Sequence, residues 1–292
     1  MSNIDSPWRN ELDDLMRGVA GAFLFGIPFL YTMEVWWKGN FTSPQRMIFA
    51  LLLAYAALLA LNRAAGFRKE ESGPWNRTLG DSAEALALAL VTSTVSLAVI
   101  GVIQLDDGLD ATMGRIIMES VPFSIGIGVA NNFLHRAQEG NGESSSKGKD
   151  ATSHQWHDHS WHGTLADAGA TALGATLIAF SIAPTDEIPM IAAGLPPARL
   201  LLIIGTSLLL SYIIVFEASF GMQQARIEQP GIFQSPITET IFSYLISLLM
   251  AMAMLWLFQL LRAGDPASQW LSYVIVLGLP ATIGGAAGRI AF

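Results

Sequence analysis

Eight stretches of this chain are each long and apolar enough to cross a bilayer: 18–37, 45–63, 80–104, 113–134, 164–184, 198–217, 236–261 and 269–290. A hydrocarbon core about 30 Å thick takes roughly 20 apolar residues in helical form. Only helices and closed barrels can satisfy their backbone groups there. Barrel strands would read as short alternating segments; these runs are long and continuous, so helices are predicted. Charged residues make up 14% of the chain, against about 25% in soluble domains, and the mean hydropathy is +0.44. The expected class is an all-α membrane protein with eight transmembrane helices and no room for a soluble domain.

The first half of the chain is written again, loosely, in the second. Gly26-Ile27-Pro28-Phe29-Leu30-Tyr31-Thr32-Met33-Glu34-Val35 is echoed 153 positions later by Ala179-Phe180-Ser181-Ile182-Ala183-Pro184-Thr185-Asp186-Glu187-Ile188. The same offset carries Asp14 to Asp167, Pro44 to Pro197 and Arg46 to Arg199. An offset of 155 carries Glu84 to Glu239 and Gln104-Leu105 to Gln259-Leu260, and one of 158 carries Val121-Pro122 to Leu279-Pro280. A repeat constrains architecture before other features do. It predicts two parallel four-helix repeats, 1–135 and 164–292, joined by a Gly-, Ser-, Lys- and Asp-rich flexible linker over 136–163. With an even number of spans in each, the pseudo-twofold axis runs along the membrane normal, and inverted repeats are excluded. Gly18, Ala22 and Gly26, Gly126 and Gly128, and Gly284, Gly285 and Gly288 read as helix-packing positions. Pro28, Pro122 and Pro280 should bend their helices.

Eight spans place both termini on one side. Eleven of the sixteen Lys and Arg residues fall on that side, which predicts cytoplasmic termini. The acidic start, with Asp5, Glu11, Asp13 and Asp14, does not read as a cleavable signal. There is no cysteine, so thiolate chemistry is excluded. The net charge of −8 argues against nucleic acid, which wants a basic face. No Walker A loop, dinucleotide fingerprint, HExxH or GxSxG occurs, and nothing resembles a potassium filter. An enzyme is not expected, nor is a cofactor.

The charges that remain carry the functional reading, because an ionisable group at mid-bilayer costs about 2.5–3.5 kcal/mol on the insertion scale. Glu34 and Glu187 fall at matching outer ends of spans 1 and 5. They read either as interfacial carboxylates beside an aromatic belt or as a pair that attracts a cation. Glu84 and Glu239 read either as helix-start residues favoured by the dipole or as an inner pair, joined by Asp14 and Asp167. Arg46 and Arg199 could latch Glu34 and Glu187 as ion pairs. Glu119 and Glu217 have no counterpart in the other half and rank below the rest. The hydroxyls of Thr92, Ser93, Thr94 and Ser96 line a wet path or bond their own helix. His154, His157, His159 and His162 in the linker form a weak candidate metal or pH-sensing cluster.

The segment Gly21-Ala22-Phe23-Leu24-Phe25-Gly26-Ile27-Pro28-Phe29-Leu30-Tyr31-Thr32-Met33-Glu34-Val35-Trp36-Trp37 resembles the opening of the DUF2391 family of bacterial integral membrane proteins. The resemblance extends over nearly the whole chain in length and span count. It implies a bacterial inner-membrane location and carries no activity and no site residues. The functional expectation is a pathway for a small ion, a cation or proton, by channel or secondary transporter, lined by the paired carboxylates. The alternative is a non-transporting sensor, scaffold or partner subunit. The expected partners are the lipid bilayer and a small inorganic ion, with a homo-oligomer left open.

Overall fold

The computed structural model describes residues 7–66, 75–104, 106–143, 159–217 and 235–291. In chain order the helices are α1 (Pro7–Leu30), α2 (Met33–Gly39), α3 (Pro44–Gly66), α4 (Trp75–Val99), α5 (Leu109–Glu143), α6 (His159–Ile182), α7 (Glu187–Ala193) and α8 (Pro197–Tyr212). A π-helical turn (Ile213–Glu217) continues α8, and α9 (Pro236–Leu257) and α10 (Ala267–Ala291) follow. No strand occurs among the described residues. Among the described residues seven helices are long and apolar enough to cross a membrane, or eight if α1 and α2 count together as one bent span. Mid-helix residues such as Leu52, Val91, Leu177, Leu201 and Leu245 are exposed on the outside. Lipid accepts such an apolar exterior where water would not.

The predicted first span, 18–37, is not one rod. The helix ends at Leu30, and α2 departs at 87°. Pro28 removes one backbone donor from the last turn, and the Thr32 hydroxyl donates to the Pro28 carbonyl at 2.9 Å. The elbow is further tied by Trp36, whose indole N–H donates to the Leu30 carbonyl at 3.2 Å. The connection after α6, expected as a loop, likewise contains the short helix α7. The end of the bundle that carries α2 and α7 is called the elbow face, and the opposite end, where α1 starts and α10 finishes, the termini face. The expected flexible linker is partly helical: α5 runs on to Glu143 and α6 starts at His159.

Two helix crossings hold the bundle together. α1 meets α5 at Gly21 and Gly126, and a Cβ on either would run into the other's backbone carbonyl. α6 meets α10 in the same way at Gly174 and Gly284. Helices this close gain dispersion contacts that lipid cannot match. α3 and α4 lean on α5, whereas α10 is enclosed by α1, α6, α7, α8, α9 and the π-helical turn. Every residue of α10 from Ile275 to Ala286 is buried. The hydroxyls of α4 serve the helix backbone. Thr92 donates to Leu88, Thr94 to Leu90 and Ser96 to Thr92, while Ser93 donates to Leu90 and across to Ile116 of α5.

Candidate functional site

The six acidic residues singled out by the repeat do not converge. Glu34 is exposed on α2, and Glu84 is exposed in the third turn of α4, which starts at Trp75, so it is not the helix-start acid expected; neither has a side-chain hydrogen bond or ion pair among the described residues. Asp14 is exposed and pairs with Arg17 at 2.9 Å, one helical turn away. Asp167, half-buried on α6, takes the Thr171 hydroxyl on its backbone carbonyl. Glu187 is buried at the start of α7. Its Oε1 accepts the Met33 backbone N–H at 3.3 Å. Met33 opens α2, and its N-cap, Thr32, offers no side-chain cap of its own. A carboxylate from the second half thus caps a helix of the first, where the dipole favours negative charge.

The expected latch between these acids and two arginines does not form among the described residues. Arg46 stands exposed at the start of α3. Arg199 packs its guanidinium against Gly101, at the end of α4. The reason is geometric: α2 turns Glu34 outward, and the Glu187 carboxylate is engaged with Met33. His154 and His157 lie outside the described residues, and His159 and His162 fall in the first turn of α6. No group of three metal-ligating side chains comes together among the described residues.

Two other charged groups are buried instead. Arg289, near the end of α10, is 1% exposed and pairs with Glu239 from the first turn of α9. Its Nη1 also donates to the Ser243 hydroxyl at 3.0 Å, and its guanidinium stands 6.0 Å from the Phe216 ring of the π-helical turn. This ion pair closes the termini face of the second half. The predicted carboxylate Glu239 thus has a buried cationic partner.

The other buried charge is Glu119 on α5. It is fully buried, and neither carboxyl oxygen has a hydrogen-bond partner among the described residues. At 1.5 Å per residue it lies about 15 Å along α5 from Leu109, inside the apolar Leu109–Ala130 stretch and one turn past Arg115. One turn further along, Phe123 packs on Gly26 and sits edge-on to Phe23 at 5.6 Å. Continuing that antiparallel register brings Glu119 level with Leu30, where α1 breaks into α2. Nearby hydroxyls are already committed: Ser120 donates to Ile117 at 2.8 Å and Ser124 to Val121 at 2.7 Å. The family model for the integral membrane protein DUF2391 matches residues 14–292. The chain belongs to the DUF2391 family. No curated protein and no solved structure matches it.

Sequence reasoning passed over Glu119 in this DUF2391 protein because it ranked charges by whether they recur. An acid inside the predicted 113–134 span was the available signal, and its complete burial shows only in the packing of α5. One turn nearer the elbow face, Arg115 ties three elements together. Its side chain donates to the Asn40 side-chain carbonyl just past α2 and to the Val102 carbonyl after α4. It also pairs with Asp107 of the α4–α5 loop at 2.8 Å. Beside it Gly39 and Gly114 bring α2 and α5 backbones into contact. Sequence reasoning gave Arg115 no role.

Proposed function

We propose that this protein carries a small cation or a proton across a bacterial inner membrane, with Glu119 as the group that binds it. The observation behind this reading is a carboxyl buried inside a membrane-spanning helix with no hydrogen-bond partner among the described residues. An ionised carboxylate there costs several kcal/mol unless something cancels its charge, and no protein cation in contact does so. Intramembrane acids of this kind mark ion and proton pathways. The Lys and Arg count favours cytoplasmic termini.

The carrier is built by duplication in this reading. The helices recur in one order. Gly21 and Gly174 are 153 positions apart, and Gly126 and Gly284 are 158 apart. The residues of positive φ after α4 and α9, Gly101 and Gln259, are also 158 apart. So are the turns in which Asp107 accepts from Gln104 N–H and Asp265 from Arg262 N–H. At that offset Glu239 corresponds to Asp81, not to Glu84 as the 155 offset had it, and Glu119 corresponds to buried Leu277. The ion site is thus a feature of one half only.

Flux in proteoliposomes tests the reading. Wild-type protein should dissipate an imposed gradient of protons, sodium or potassium, and Glu119→Gln should lose that flux. Equal flux in the variant removes Glu119 from the pathway. Absence of flux for all three ions in the wild type favours the second reading, a non-transporting sensor or scaffold, which the close glycine crossings and the exposed Glu34 and Glu84 support.

A further inference from the structure

We propose that the ion held by Glu119 is a proton, and that Arg115 is the alternative partner of the carboxylate, so that proton release unfastens the elbow face. This rests on the reading of Glu119 as the ion-binding group. A metal cation of the sodium or calcium kind needs several oxygen ligands around it. No group of three His, Cys, Asp or Glu side chains comes together among the described residues, so Glu119 has no second carboxylate to help hold a metal cation. A proton needs only the carboxyl itself.

The elements packed on α5 bring no other charge to this place. On α1, Glu11, Asp13, Asp14 and Arg17 lie in the first turns. Glu34 and Lys38 on α2 are exposed, as are Arg46 and Arg63 at the two ends of α3 and Arg77, Asp81 and Glu84 in the first three turns of α4. The phenols of Tyr31 and Tyr55 donate to the Val276 and Leu79 carbonyls. Arg115 remains. Residues four apart on a helix have Cβ atoms about 5–6 Å apart on one face, and helical side chains lean toward the N-terminus. Glu119 therefore leans toward Arg115.

While the carboxyl holds its proton, it makes no demand on Arg115, and Arg115 fastens α2 to the α4–α5 loop. When the proton leaves to water, a bare charge sits one turn from a guanidinium. Arg115 then exchanges Asp107 for Glu119. Asp107, with 27% of its side chain exposed, keeps access to water and tolerates the exchange. Asn40 and the Val102 carbonyl lose their donor, and α2 is freed from the loop. The elbow face opens when Glu119 is empty and closes when it is loaded.

The chain has no cysteine, so one introduced thiol reports without background. Met47 is buried, and its methyl group packs against Gly114 beside the fastened arginine. Met47→Cys in nanodiscs is labelled with a polar maleimide from about pH 6 to about pH 9. The rate is divided by that of the same thiol in Glu119→Gln, which cancels the thiol's own ionisation. The ratio should rise with pH, by at most about tenfold per unit, and level off once the carboxyl is deprotonated. A ratio that stays at one across the range overturns the switch. Asp107→Asn, with Glu119 retained, should raise labelling at the acid end several-fold; no rise also overturns it. Labelling does not require net transport. A rising ratio without flux sinks the carrier reading and keeps the switch, whereas flux of sodium or potassium but not protons sinks the proton assignment alone.

Discussion

A buried charge is informative through what it lacks or holds. Arg289 and Glu239 hold one another at the end of the second half, and removing Glu239 takes away the carboxylate that offsets the buried guanidinium charge. Glu239→Ala should cost up to about 3 kcal/mol, since it leaves a guanidinium buried without its carboxylate. Ser243→Ala removes a single hydrogen bond to the same guanidinium and should cost about 1–2 kcal/mol. Thermal unfolding in detergent checks both. Replacing the pair together, Glu239→Gln with Arg289→Met, should recover much of the first loss, and failure to do so would show that the charge pair is not what Glu239 contributes. Glu239 was legible in the sequence as a helix-start acid. Its partner was not, because contact between Glu239 and Arg289 depends on the order in which α9 and α10 pack. Glu119 was visible in the sequence but ranked low, because it has no matching acid in the other half and its burial depends on how α1 and α4 pack on α5.

At the level of helices, the glycine crossings separate two kinds of glycine. Gly126→Leu and Gly284→Leu would each drive a side chain into a facing backbone, and overpacking of this sort should abolish folded protein or cost about 3 kcal/mol or more. Gly205 in α8 and Gly80 in α4 face open space, with nothing within 4 Å of where a methyl group would sit. Alanine at either should be neutral or gain about 0.5–1 kcal/mol by stiffening the helix. Yields and melting temperatures of the four variants decide; equal damage at Gly205 and Gly126 would refute the crossing as the cause. Gly126 and Gly284 were legible, because small residues mark close approach in lipid. The elbow at Leu30 was not. A run of apolar residues registers composition and says nothing of direction, and α2 is apolar enough to have passed as the continuation of α1. The residues at the bend, Thr32 and Trp36, declare themselves only through bonds to carbonyls of the helix they leave.

For the whole molecule, two hydrogen bonds between described residues link the halves beside the elbow: Tyr31 donates to Val276 at 2.8 Å and Met33 to Glu187 at 3.3 Å. Counting α1 and α2 as one span makes eight crossings and puts Trp8 and Gly108 on opposite faces. Single cysteines at these positions should react with an impermeant reagent from opposite sides of sealed vesicles; reaction from the same side would refute the eight-span count. The number of runs and their helical nature were readable from hydropathy alone. The unequal burial of α5 and α10 was not, since it depends on which helices pack around each. That difference has a consequence for biogenesis. α10 follows in the chain every helix that encloses it, so during synthesis α6, α8 and α9 enter the bilayer around a vacant groove that lipid tails must fill. The second half cannot close until α10 leaves the translocon and expels that lipid, which makes its late insertion a step on which chaperoning and quality control can act.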